Sequence, residues 1–232
     1  MSMDISSRTI SVLGNFSGIN GSILIKPGNR IKTISASKNI LADTKVDEDF
    51  PVEFGIYDLP KFLAVLKMYS EQTLEFKDDF MIIRDSQNPN RFTRYYYSDS
   101  SVIISPPEGK EVSFPDDPVV SFDMTNTEFS HIVKGCSVMG LPEIVVQGTD
   151  GENITIAGVN SEDETAGSFN YELDVQSTDD FEFIITLESL TKLMQGDYSI
   201  EISEGGISRF TNKTNDVTYY VAVQATDDED DD

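Results

Sequence analysis

What most restricts the fold of this chain is that one order of elements occurs in it twice. Ile56-Tyr57-Asp58-Leu59-Pro60-Lys61-Phe62-Leu63 has a counterpart 128 positions later in Ile184-Ile185-Thr186-Leu187-Glu188-Ser189-Leu190-Thr191. Each run reads as a strand feeding a short helix, with about three strands after it. Residues 22–25, behind a first helical pattern, likewise match 143–146, behind a third. Each half must bury its own apolar faces, so the repeat limits the chain to a duplicated architecture.

Strand patterns dominate both halves. In the first they fall at 22–25, 30–34, 52–56, 73–76, 80–84, 92–97 and 102–104. In the second they fall at 144–146, 154–157, 169–175, 181–185, 198–202, 207–211 and 218–223. Pro27-Gly28-Asn29, between the first two, reads as a hairpin turn. Four short helices fit between the strands. The first, about 6–16, places Ile10, Leu13 and Phe16 on one side. The second starts with Asp58 as N-cap and Pro60 in the first turn, then repeats Leu59, Phe62, Leu63, Leu66 and Tyr69 at helical spacing. A third, about 126–138, buries Phe129, Ile132, Val133 and Cys136. The fourth, about 187–195, buries Leu187, Leu190, Leu193 and Met194, and Gly196 suits its end. The expected class is α+β, with antiparallel sheets and four short helices in two domains.

Residues 105–118 hold four prolines and Gly109, which disfavours any regular element and reads as an extended connection. The expected division is therefore a first domain 1–104, a linker 105–118, a second domain 119–225 and an acidic tail 226–232 that reads as disordered. No run of eighteen apolar residues is present, and the N-terminus lacks the basic start and apolar core of a signal peptide. Cys136 is the single cysteine, which fits a reducing cytoplasm.

With 41 acids against 17 bases the net charge is −24, which at first sight argues against nucleic acid. The distribution argues otherwise. The four helical windows hold five of the bases (Arg8, Lys61, Lys67, Lys134 and Lys192) and only two acids, Glu128 and Glu188. Ser7, Ser11 and Asn15 lie opposite the first helix's apolar stripe, with Arg8 beside them. Thr127, Ser130, Lys134 and Ser137 form a similar polar line on the third. A single lysine on an amphipathic helix is usually just solvated; the contrast across four helices is what points further.

Catalytic equipment is scarce. His131 and Cys136 read as a surface histidine and a buried thiol rather than a nucleophile and its base. No zinc spacing, phosphate loop or EF-hand pattern occurs, and Asp47-Glu48-Asp49 and Glu162-Asp163-Glu164 read as loops. No catalytic residue, metal or cofactor is expected.

The run Leu13-Gly14-Asn15-Phe16-Ser17-Gly18-Ile19-Asn20-Gly21-Ser22-Ile23-Leu24-Ile25-Lys26-Pro27-Gly28 resembles the N-terminal region of the T-even-type phage sliding clamps. Phe54-Gly55-Ile56-Tyr57-Asp58-Leu59-Pro60-Lys61-Phe62-Leu63-Ala64-Val65-Leu66 does too. The likeness is specific over about 70 residues; beyond them it rests on element order, the linker, total length and Tyr219-Tyr220-Val221-Ala222-Val223, which resembles the last strand of proliferating cell nuclear antigen. The acidic tail and more acidic loops depart from the family. The resemblance implies a non-enzymatic polymerase processivity factor: a homotrimeric ring around duplex DNA, helices inside and sheets outside. Arg8, Lys61, Lys67, Lys134 and Lys192 would then face DNA through water, without reading bases. It further implies a partner-peptide pocket of Ile34, Lys38, Leu41, Val112, Phe114, Tyr220 and Ala222. Subunit edges are expected at 92–97 and 169–175, with Tyr95, Tyr96, Tyr97, Phe169, Tyr171 and Leu173. The implied partners are duplex DNA, DNA polymerase, an ATP-driven clamp loader, transcription factors as a further class, and further copies of the chain, with no membrane; the implied setting is the cytoplasm of a phage-infected host. Rival readings are a β-rich phage structural or adaptor protein, an acidic DNA mimic and, third, an enzyme.

Overall fold

Apolar alternation becomes strand in both halves of the computed structural model, which describes residues 1–107, 109, 112–115, 117–163 and 165–225, the last without its side chain. The expectation about the tail 226–232 lies outside the described residues. The chain divides into two compact units, Met1–Lys110 and Glu111–Asp232.

The first unit runs β1 (Ser2–Asp4), α1 (Ser7–Ile19), β2 (Ile23–Ile25), β3 (Gly28–Ile34), β4 (Ile40–Phe50), β5 (Phe54–Ile56), α2 (Leu59–Leu66), β6 (Gln72–Phe76), β7 (Phe80–Asp85) and β8 (Phe92–Tyr96). Strands β1, β6, β7 and β8 form one antiparallel sheet in that order. Elsewhere β3 pairs with β4 and β2 with β5. The second unit runs β9 (Val120–Met124), α3 (Asn126–Met139), β10 (Glu143–Gly148), β11 (Asn153–Val159), β12 (Phe169–Gln176), β13 (Phe181–Thr186), α4 (Leu187–Thr191), β14 (Tyr198–Ser203), β15 (Ile207–Asn212), β16 (Val217–Ala222) and β17 (Gln224–Ala225). Here β12-β11-β10-β13-β17 is one sheet, and β9, β14, β15 and β16 lie side by side in that order.

The duplication extends to pairing. Strand β9 lies beside β14 as β1 lies beside β6; β10 pairs with β13 as β2 pairs with β5. In each unit two helices pack together: α1 on β3 and β4 beside α2, and α3 on β11 and β12 beside α4. Their apolar faces close the core. Val12, Leu13, Phe16 and Ile19 of α1 are buried, as are Leu59, Phe62, Leu63 and Leu66 of α2. Each such side chain contributes about 1.5–3 kcal/mol of transfer free energy. Helix α3 approaches its sheet closely because position 135 is glycine: a Cβ there would stand 2.3 Å from the Phe169 ring. Gly140 ends the helix in the left-handed conformation, φ 69°.

Several expectations need correction. Strands 22–25 and 30–34 do not form a hairpin. Pro27 cannot donate to a ladder and Gly28 turns at φ 108°, so β3 leaves the line of β2 and pairs with β4 instead. Asp47-Glu48-Asp49 is no loop; it lies in β4, the longest strand, whose Val46, Glu48 and Phe50 point inward while Asp47 and Asp49 point out. Strands β1, β4, β9 and β17 have no counterpart in the expected list, because acidic or few residues blur their alternation. Residues 102–104 are not a strand: Asp99 accepts from Ser101 N at 2.8 Å and starts a 3-10 turn at Ser100–Val102. Ile10 and Val133 are only partly buried, Thr9 taking the inward position on α1. The fourth helix stops at Thr191 with Leu187 half-buried, although Leu193 in the following turn is still buried.

Candidate nucleic-acid interface

Of the five helical cations, three stand apart. Lys61 on α2, Lys67 at its C-cap and Lys134 on α3 are exposed, and none makes an ion pair among the described residues. Lys67 also sits where the last carbonyls of α2 favour a cation. The other two are engaged locally. Arg8 donates from Nη1 to the Lys45 carbonyl at 2.8 Å and lies 3.9 Å from Asp47; Lys192, C-cap of α4, lies 2.7 Å from Glu188. The helices also expose small polar groups: Ser7 and Ser11 on α1, Thr127 and Ser137 on α3.

Bases outside the helices are mostly neutralised by a neighbour. Arg30 and Lys32 share Asp43, Lys77 and Arg84 share Glu75, Arg91 meets Asp85, Arg209 meets Glu201 and Lys213 meets Asp123, all within 4.0 Å. The Arg84 hydrogen bond, helped by the charges of Arg84 and Lys77, outweighs burial and holds the Glu75 carboxyl below its ordinary value. Lys38, Lys45 and Arg94 are further exposed cations without such a partner among the described residues. Unpaired positive charge is thus concentrated on a few exposed side chains, and the helices hold three of them in a strongly anionic protein.

The residues expected to bind partners fall in both units. In the first, Ile34 and Leu41 are cross-strand partners near the end of the β3–β4 hairpin, each half-exposed, and Lys38 occupies its turn at φ 60°. Asn20, the C-cap of α1, ties this end down by donating from Nδ2 to the carbonyls of Ile34 (3.0 Å) and Ile104 (2.9 Å). In the second unit Val112 and Phe114 belong to the segment without helix or strand. The Phe114 ring lies 6.5 Å from that of Tyr220 on β16 and 4.3 Å from Arg209 Cζ, while Ala222 is exposed. Asn20, Arg209 and Glu201 escaped the sequence reading. The signal for the last two was a cross-strand acid–base match on alternating positions of neighbouring strands.

The expected subunit edges lie on outer strands: among the described residues β8 has only β7 as a neighbour in its sheet, and β12 only β11. Their side chains mostly turn inward. Tyr95 packs edge-on against Phe62 at 5.0 Å, Tyr97 lies against Phe54 at 5.4 Å, and Leu173 is buried. Phe169 and Tyr171 flank His131 at 5.5 and 6.3 Å. Tyr96 projects outward with Phe92. Edge pairing runs through backbone N–H and C=O groups, so inward side chains leave it open. His131 is exposed on α3; Cys136 is buried there, and burial pushes its thiol pKa up. No group of three His, Cys, Asp or Glu among the described residues is arranged to hold a metal.

Residues 6–104 match the model of a family described as DNA polymerase processivity factor. Three relatives called sliding clamp align with 96% of the chain: one from Vibrio phage KVP40, 29% identical and matched over 100% of its length, one from Escherichia phage RB69, 26% identical over 97%, and one from Enterobacteria phage T4, 24% identical over 97%. Among solved structures, the PCNA2–PCNA3 complex from Sulfolobus tokodaii has a TM-score of 0.69 at 14% identity, covering 97% of this chain and 99% of that one. Proliferating cellular nuclear antigen from Entamoeba histolytica has 0.68 at 15%, covering 96% and 98%; these likenesses concern the fold. A matching first unit, near full-length relatives of one name and a duplicated α+β fold together support a T-even-type phage sliding clamp, a processivity factor of DNA polymerase.

Proposed function

We propose that the chain works as a homotrimer whose ring encircles duplex DNA, with α1 to α4 inward and the sheets outward. Arg8, Lys61, Lys67, Lys134 and Lys192 serve as its DNA-facing cations. The observation that carries this reading is the contrast between cations: most of those on and beside strands are neutralised by adjacent carboxylates, while Lys61, Lys67 and Lys134 are exposed and make no ion pair among the described residues. Lysines that meet phosphates without touching base edges give weak, sequence-independent contacts. Such contacts let a ring slide, and retention then comes from closure rather than affinity. The engagement of Arg8 and Lys192 assigns them the smaller share of the five.

Two domains per subunit suit a six-domain ring of three copies. The domains are 1–104 and 119–225, joined by 105–118 and followed by the tail 226–232. Edge strands β8 and β12 supply the head-to-tail contact. Partner peptides use Phe114, Val112, Tyr220 and Ala222 of the second unit with Ile34, Lys38 and Leu41 of the first, gaining affinity from a few buried anchors. The partners are the phage DNA polymerase, tethered through its tail, an ATP-driven loader that opens the ring in the host cytoplasm, and transcription factors. The chain itself catalyses nothing.

Light-scattering mass in solution tests the assembly, with about three times 25.8 kDa expected. A strict monomer at high concentration contradicts it. Long-template synthesis by the cognate polymerase with its loader tests the role: Lys61→Ala with Lys134→Ala lowers it and flattens the salt dependence while the ring stays intact. Unchanged synthesis removes these lysines from the DNA face.

A further inference from the structure

We infer that Arg209, clamped by Glu201, positions Phe114 for partner peptides and so sets their affinity without touching them. This rests on the partner-peptide reading above and adds residues to it. Glu201, Arg209 and Tyr220 form one row across β14, β15 and β16, as successive cross-strand partners. Two guanidinium nitrogens, Nε and Nη2, each donate to the Glu201 carboxylate at 2.6 Å, which fixes the plane of the group. Its flat side is then available to an aromatic ring, and the Phe114 ring lies 4.3 Å from Cζ. The Tyr220 ring also lies near Phe114, 6.5 Å between ring centroids.

Phe114 needs such a holder because its segment is neither helix nor strand, so no sheet ladder fixes its position. The first unit offers an internal contrast. There Arg84 donates to Glu75 at 2.6 Å and lies 5.1 Å from the Phe92 ring, but Phe92 is part of β8 and its backbone is already held by β7. The same acid–arginine–aromatic arrangement is therefore dispensable for placing Phe92 and decisive for placing Phe114. Arg209 is a positioning residue, and its effect must pass through Phe114.

The test is a fluorescence titration of the intact chain with a synthetic peptide copying the C-terminal residues of the cognate phage polymerase. Arg209→Met weakens binding by about fivefold, the size of one lost cation–aromatic contact. Glu201→Gln weakens it less, and Arg84→Met leaves it unchanged. In a Phe114→Ala background, Arg209→Met has no additional effect. An unchanged titration for Arg209→Met overturns the inference, as does an equal loss with and without Phe114. If Arg209→Met does not fold, Arg209→Lys and Glu201→Gln carry the test, and wild-type affinity in both overturns it. Should Phe114→Ala and Tyr220→Ala themselves leave binding unchanged, the peptide site lies elsewhere and the broader reading fails with it.

Discussion

Helices α1 and α3 hold equivalent places in their units, yet carboxylates of different origin secure their first turns. For α3 the group is local: Glu128 accepts from Thr125 N at 2.8 Å while Thr125 Oγ1 accepts from Glu128 N at 3.3 Å, a capping box closed within four residues. For α1, Ser6 caps Thr9 N at 3.2 Å, but the carboxylate that receives Ser6 N–H and the Thr9 hydroxyl is Glu48, far away on β4. Glu48 is buried, with a relative exposure of 8%. Burial alone would raise its pKa; the hydrogen bonds from Thr9 and Ser6 outweigh that and hold it below the ordinary 4.5. A local box stabilises a helix by itself. A borrowed carboxylate makes the seat of α1 and the register of β4 depend on each other.

The largest effect is expected where that dependence is broken. Glu48→Gln cannot accept both donors as a carboxylate does, and it should cost about 1–3 kcal/mol in urea unfolding near pH 7. Because the folded pKa is depressed, the carboxylate's contribution is fully present above pH 4.5 and is lost as pH falls through the lower folded value. The gap between wild type and variant should therefore close in acid. A gap that persists or widens there would show that Glu48 acts through packing alone.

Breaking the local box should cost less. Thr125→Ala is expected to lose about 1 kcal/mol by the same measurement. Asp197, which accepts from Asn126 N at 2.8 Å, still supports the start of α3. A loss as large as that of Glu48→Gln would erase the distinction between the two caps.

The cations give smaller stability effects and a different readout. Lys61→Ala and Lys134→Ala should each change stability by less than about 0.5 kcal/mol. Each should lower the salt dependence of DNA association by about one unit of slope. Lys192→Ala should change it least, since Glu188 already takes up that charge at 2.7 Å. If Lys192 proves the strongest of the three, local pairing does not rank the cations.

The same contrast explains what could be read in the sequence. The repeat, the helix stripes and the Asp58 cap were legible because they are local patterns: Asp58 does accept from Lys61 N, at 2.9 Å. Strand β4 was not, because Asp47, Glu48 and Asp49 look like a solvated run until Glu48 is known to face the start of α1. The pairing of β3 with β4 rather than β2 is not legible either, because turn chemistry at Pro27-Gly28 says that the chain bends, not which strand it meets next. In the site, residue type pointed to the lysines, and the family resemblance pointed to Phe114. It could not show that Arg8 is tied to Lys45 or that Arg209 lies over Phe114, since both depend on partners distant in sequence.

Retention on DNA tests the central claim most directly. The chain is loaded onto a nicked circular plasmid with its cognate loader and ATP, then challenged with high salt before and after one cut linearises the circle. A sliding ring stays on the circle, where electrostatic contacts are screened but closure is not, and runs off once ends are created. Equal loss from circle and linear DNA, or equal retention on both, would contradict topological holding.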